Sequence, residues 1–178
     1  MKDVPLEKIV VIDESAAMTN MTRLRGRCER NKRLVCPVPH GHWKVLTMIG
    51  AMTVSGVRAA ITVDAATDGE IFLRFITDVL APTLKPGDVV VMDNLQAHKA
   101  AGVKQAIEAV GARLMFLPPY SPDFSPIEPM WSKVKQKLRS IAAATIDTLR
   151  SAVTTSLQSI TESDCRGYFR HCGYTLRT

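Results

Sequence analysis

An α/β fold, built as a mixed sheet with helices on both faces, is what this sequence predicts, and three observations carry the prediction. The apolar runs at 9–12 and 89–92 are too continuous for half-exposed strands and read as buried ones. Two β-rich runs near the start, 43–54 and 56–64, meet at Ser55 and Gly56 as the arms of a hairpin do. From residue 67 onward helical and strand patterns alternate, the signature of parallel strands joined by helical crossovers. The first three strands are therefore expected to be antiparallel and the later ones parallel.

Taken in order, "EKIVVIDE" (7–14) is the first buried strand, and an arginine-rich connection follows it. After the hairpin, 67–82 places Ile71, Phe72, Phe75, Val79 and Leu80 at helical spacing, with acids near the start and Pro82 at the end. "GDVVVMDN" (87–94) is a strand, 99–111 a helix closed by Gly111, and "ARLMFLPPY" (112–120) another strand. A helix starts near Pro126 and runs to about Ser140. The last helix, within 145–161, aligns Ile146, Leu149, Val153, Leu157 and Ile160 on one stripe. With no repeat, low-complexity segment or Gly/Ser-rich linker, residues 1–178 are read as a single domain.

Composition agrees. At 46% hydrophobic and 22% charged, 178 residues bury a core without disulfide or metal staples. No run approaches the roughly 18 apolar residues of a membrane span, and acids stand near the N-terminus where a signal peptide wants an apolar stretch. Both point to the cytoplasm and away from a membrane partner. Cys28, Cys36, Cys165 and Cys172 form no CxxC pair and are read as reduced structural thiols; a zinc site from Cys28, Cys36, His40 and His42 is the competing reading. The net charge of +6 favours a polyanionic partner.

The chemistry concentrates in acids at element ends. Asp13 and Asp93 each close an apolar strand and each precede a polar residue, Glu14 and Asn94. On neighbouring parallel strands they would face one another about 4.8 Å apart. Such closeness is unfavourable unless a cation sits between them. The plainer alternative is that each Asp caps the turn that follows. Glu128 fits a capping box with Ser125, yet Pro129 lacks the amide hydrogen that such a helix start would use; the helix is therefore expected to begin slightly later, with Glu128 in its first turn. Two strand ends and one helix start can converge at one sheet edge. An oxygen-rich site of that kind suits Mg²⁺ or Mn²⁺, and two such ions serve phosphodiester displacement.

These motifs together resemble the catalytic domain of DDE-type transposases of the mariner-like superfamily, in particular its bacterial insertion-sequence-630 branch. The resemblance covers "VVIDES", "VVVMDNLQAHK" and "LPPYSPDFSPIEPMWSKVK", with "VPHGHWKVLTMIGAMT" and the terminal "YFRHCGY". Positions 94 to 127 leave 34 residues between Asp93 and Glu128, similar to that superfamily's spacing. The resemblance implies a ribonuclease H-like fold and Asp13, Asp93 and Glu128 as the catalytic, metal-binding triad for two Mg²⁺ or Mn²⁺ ions. It implies an endonuclease that cuts at transposon ends and joins the freed 3′-hydroxyl to target DNA, acting as a homodimer on DNA in the bacterial nucleoid. Related transposases carry N-terminal helix-turn-helix modules; their absence here implies that end recognition comes from another part of the protein or from a separate chain.

Several accessory residues admit two readings. Arg23, Arg25 and Arg27 in the arginine-rich connection either form a solvated loop or neutralise DNA phosphates. Lys135 and Arg139 share a helical face with Glu128 and are expected to reach DNA, whereas Lys133 and Lys137 point to solvent. Trp131 is read as core packing, with base stacking as the alternative. His98, five residues after Asp93, contacts a phosphate, orients a ligand or packs a helix start. Strand alternation aims Glu14 away from Asp13. Two other functions stay open at this point: a ribonuclease H-type hydrolase, and a non-catalytic DNA-binding or assembly remnant of a transposase.

Overall fold

The computed structural model describes residues 4–119 and 121–174. Five strands, β1 (Ile9–Met18), β2 (Val45–Thr53), β3 (Gly56–Val63), β4 (Val89–Met92) and β5 (Arg113–Phe116), form one sheet in the order β3-β2-β1-β4-β5. β1, β2 and β3 pair antiparallel, while β4 joins β1 and β5 joins β4 in parallel. This is the mixed sheet that the sequence predicts. The expected 112–120 strand is confined to β5, because Pro118 and Pro119 cannot donate to a ladder; Tyr120 lies outside the described residues.

Side-chain alternation splits the core into two layers. From β1, Ile9 and Val11 pack with Val89 and Val91 against α3 (Ile127–Ile141), α4 (Ile146–Gln158) and α5 (Glu162–His171). Val10 and Ile12 face the opposite way with Val90 and Met92, onto α1 (Gly69–Arg74) and α2 (Val103–Ala109). Helices therefore cover both faces. The helix beginning at α1 widens to π-helical geometry over Phe75–Leu80 and ends in a tighter turn at Ala81–Thr83, where Pro82 stops it. Beyond α2, Gly111 takes a φ of 77°, the left-handed conformation that closes a helix and that glycine adopts without strain.

Two departures from expectation stand out. α5 is a helix where none is predicted; it starts at Thr161, whose side chain accepts from the Asp164 amide while Asp164 bonds back to the Thr161 amide. The connection between β1 and β2 is the other. It carries no helix or strand and is exposed continuously from Arg23 through Val45. Its neck is pinned: the Thr19 amide donates to the Lys44 carbonyl at 3.1 Å, and the Lys44 amide to Thr19 Oγ1 at 3.0 Å.

Candidate active site

Register brings the first two acids together. Ile9 pairs with Val89 and Val11 with Val91, so continuing two residues along both chains sets Asp13 beside Asp93. Parity puts both on the face that α3 covers. Glu128 arrives from above, as the second residue of α3. The helix starts where Pro129 dictates: Ser125 makes no side-chain cap, and only a backbone bond from the Glu128 amide to the Ser125 carbonyl, 3.1 Å, marks the entry.

α3 is seated by its tryptophan. Trp131, buried one turn after Glu128, lies against Gly50 on β2, the residue paired with Asp13. A methyl group at Gly50 would stand 2.9 Å from Trp131 Cη2, so only glycine admits this approach. Burial leaves Trp131 no face for base stacking. Tyr174, in the terminal "YFRHCGY" motif, fixes the preceding loop by donating its hydroxyl to the Phe124 carbonyl at 2.9 Å, and its ring meets Phe169 edge-on.

Asp13, Asp93 and Glu128 line a single cavity of about 410 Å³, together with Asn94, Leu95, Leu117, Pro118 and Pro122 among others. Asn94 ties its wall by donating to the Leu117 carbonyl. Burial pushes the Asp13 carboxyl up to about 7, and the charge of Glu128 adds to the rise, with smaller contributions from Glu14 and Asp93. No Lys or Arg is among the described residues lining the cavity. The donor set is thus all oxygen and anionic, which fits a hard divalent cation. The carboxylates surround the space without closing on it: among the described residues, no three His, Cys, Asp or Glu side chains form a ready metal cage. An ion at the rim of such a cavity would keep open positions for water and phosphate oxygens.

Behind Asp93 lies His98, fully buried. Its Nδ1 stands 2.7 Å from Asp93 Oδ1, and its Nε2 stands 2.6 Å from Glu14 Oε2. Phe72 stacks on the ring at 4.3 Å. Burial lowers the affinity of the ring for its second proton, but the hydrogen bond and charge of Glu14, helped by Asp93, outweigh it and hold His98 above its usual value. A ring with no exposed surface and both nitrogens engaged has nothing to offer a phosphate. The DNA contact expected of His98 is therefore corrected. Glu14 points away from Asp13, as alternation requires, and what it meets is this histidine.

The basic residues are placed less compactly. Arg23, Arg25 and Arg27 are exposed on the long connection, where Lys32 pairs with Glu29 at 2.5 Å. Lys135 and Arg139 are half-buried on α3. Lys133, expected in solvent, instead bonds Asp164 at 2.5 Å and draws that carboxyl down to about 2, with the Thr161 amide and hydroxyl contributing. Cys165 and Cys172 are buried free thiols, whereas Cys28 and Cys36 are exposed, which corrects their reading as structural thiols. The zinc alternative through Cys28, Cys36, His40 and His42 gains nothing, since no cluster of three such ligands occurs among the described residues. No helix among them is long and apolar enough to cross a membrane.

A five-stranded mixed sheet in this order, clad by helices on both faces, with one acid just past β4 and the other inside β1, is the ribonuclease H-like architecture; Asp13 does not close its strand as expected, because pairing with β2 carries β1 on to Met18. The chain belongs to the DDE superfamily endonuclease family, whose model matches residues 8–150. Among solved structures, it superposes on Mos1 transposase in a paired-end complex with the left transposon end with a TM-score of 0.74 at 16% identity, covering 93% of this chain and 51% of that one. The Mos1 mariner paired-end complex with Mn gives 0.71 at 15%, covering 94% and 52%. The isolated catalytic domain of Mos1 mariner transposase gives 0.68 at 15%, covering 94% and 76%. The chain thus spans about half the length of the Mos1 protein in its DNA complexes. No curated protein sequence matches it.

Proposed function

We propose that this domain is a metal-dependent DNA transposase of the insertion-sequence-630 branch, cutting phosphodiesters at transposon ends and joining the released 3′-hydroxyl to target DNA. The observation that carries the reading is the meeting of Asp13, Asp93 and Glu128 around one cavity, with Asp13 held up to about 7 by burial and by Glu128. These three carboxylates would hold two Mg²⁺ or Mn²⁺ ions. Bound there, the ions would activate the attacking oxygen and stabilise the leaving one. Asp13 and Asp93, on paired strands, supply the rigid part of the ligand set. Exposed Glu128 completes it from α3.

DNA reaches the cavity along basic side chains. Arg23, Arg25 and Arg27 on the exposed connection, with Lys135 and Arg139 on α3, are the phosphate-neutralising set. Leu24, Val35, Val38 and Trp43 on the same connection are large apolar side chains left exposed. That pattern supports a second protomer as the surface that covers them, hence a homodimer on DNA. End recognition is assigned to a helix-turn-helix module elsewhere in the protein or on a separate chain, and the setting to the bacterial nucleoid.

The test is Asp93→Asn. Mn²⁺- or Mg²⁺-dependent nicking of duplex DNA is expected to drop to background while the far-ultraviolet circular dichroism is unchanged. Undiminished nicking by that variant would remove Asp93 from the mechanism and the proposal with it.

A further inference from the structure

We infer that His98 and Glu14 form a positioning couple that fixes the Asp93 carboxylate for divalent-ion binding, an inference that rests on Asp93 being a ligand. The geometry is a relay across the sheet. Glu14, 13% exposed in its side chain, projects from the face of β1 opposite to Asp13, and its Oε2 stands 2.6 Å from His98 Nε2. The other ring nitrogen, Nδ1, stands 2.7 Å from Asp93 Oδ1. Glu14 and His98 are 84 positions apart in the chain, so tertiary structure alone brings them together. Phe72 packs against the imidazole with its ring centroid 4.3 Å away and the planes inclined at 32°.

The consequence falls on Asp93. Its Oδ1 already accepts from the Leu95 amide at 3.0 Å, a local turn bond that suffices to close the strand end. The histidine adds an ion-pair contact to the same oxygen, while its Nδ1 is also in hydrogen-bond reach of the Asp93 carbonyl at 3.4 Å, so the ring holds both the side chain and the backbone of this residue. With Oδ1 engaged by the Leu95 amide and the His98 ring, Oδ2 carries neither of these contacts and is left for an ion. Asp93 is otherwise 46% exposed at a strand exit, where a side chain held by one bond would sample several rotamers. A turn needs no acid reaching in from a neighbouring strand to anchor a buried ring. A ligand whose orientation must be kept does: hydrogen-bonded partners behind metal-binding carboxylates set their direction, and removing them costs about 10- to 100-fold in metal affinity.

The test compares Glu14→Ala, Glu14→Gln, His98→Gln and His98→Asn. Each is measured for Mn²⁺ affinity by calorimetric titration and for the Mn²⁺ concentration that half-saturates DNA nicking, with Asp93→Asn as control. Glu14→Ala is expected to weaken Mn²⁺ binding about 10- to 100-fold and to recover most of its nicking rate at saturating Mn²⁺. Glu14→Gln, which keeps an acceptor for the ring, should restore affinity to within a few-fold of the parent. A glutamine amide at 98 reproduces the reach of Nε2 and an asparagine amide that of Nδ1, so His98→Gln should lose more affinity than His98→Asn. Parental Mn²⁺ affinity in Glu14→Ala and His98→Gln would overturn the inference while leaving the triad assignment standing. Failure of all the alanine, glutamine and asparagine variants to fold would overturn it too, by assigning the couple to fold maintenance. Nicking that survives in Asp93→Asn would instead sink the parent reading.

Discussion

Asp13 is the residue whose environment speaks most directly. Its carboxyl sits near 7 in the folded chain against 3.8 for the free side chain. A raised folded value means that the native state holds the proton more tightly than the unfolded one. The stabilising contribution of Asp13 is therefore complete below about pH 4, is lost as pH rises toward 7, and stays lost above that. Asp13→Asn cannot ionise, so in chelator-treated protein it should raise Tm at about pH 8 and change it little near pH 4. An equal shift at both pH values would contradict the burial and charge account. Added Mn²⁺ should raise the Tm of the parent more than that of the variant. The acids themselves were legible in the sequence because each stands at the end of an apolar run. What lies behind them was not: parity told that Glu14 turns away from Asp13, but no local signal named His98 as its partner across 84 positions.

At the scale of elements, the Gly50 and Trp131 seat sets the distance between α3 and β2, and thereby between Glu128 and Asp13. Gly50→Ala is expected to cost about 1–3 kcal/mol, the usual penalty for overpacking a filled core, and to reduce Mn²⁺-dependent nicking beyond what lost stability explains. Parental Tm and activity in that variant would show that α3 tolerates displacement. Trp131 was readable as core from its spacing. Gly50 was not, since a glycine inside a strand announces a close approach without saying to what. α5 escaped prediction for a similar reason. Its buried side, Cys165 and Phe169, is too short to show a period, and only the Thr161 and Asp164 pairing at its start betrayed it. The antiparallel-then-parallel plan of the sheet, by contrast, was readable from continuous apolar runs and a hairpin, whereas the strand order and the run of β1 past Asp13 to Met18 were set by pairing across the sheet.

For the molecule as a whole, the long exposed connection after β1 is the part that its own core does not explain. Loops beyond about 12–15 residues without structure are uncommon in compact domains and tend to serve a function. Replacing Arg23, Arg25 and Arg27 together by Ala should weaken DNA binding at low salt and flatten the slope of log affinity against log salt by up to about 3, leaving Tm unchanged. An unaltered slope, measured by fluorescence anisotropy with duplex DNA, would return these arginines to the solvent. Their exposure was foreseeable from composition, and so was their position next to the first acid. The extent of the connection was hidden, since nothing in its residues distinguishes a packed irregular loop from an unpacked one.

The pinned neck between Thr19 and Lys44 also determines how the chain behaves when it is severed. Strand pairing runs up to Met18 and Val45, so everything beyond the neck is dispensable to the sheet. Trypsin cutting after an arginine there should yield two polypeptides under denaturing conditions that still elute as one native particle, with β1 clasped between β2 and β4. Separately expressed halves joined at that break should reassemble by the same route; release of the N-terminal piece would mean that the central strand is held less by its neighbours than by its covalent tether.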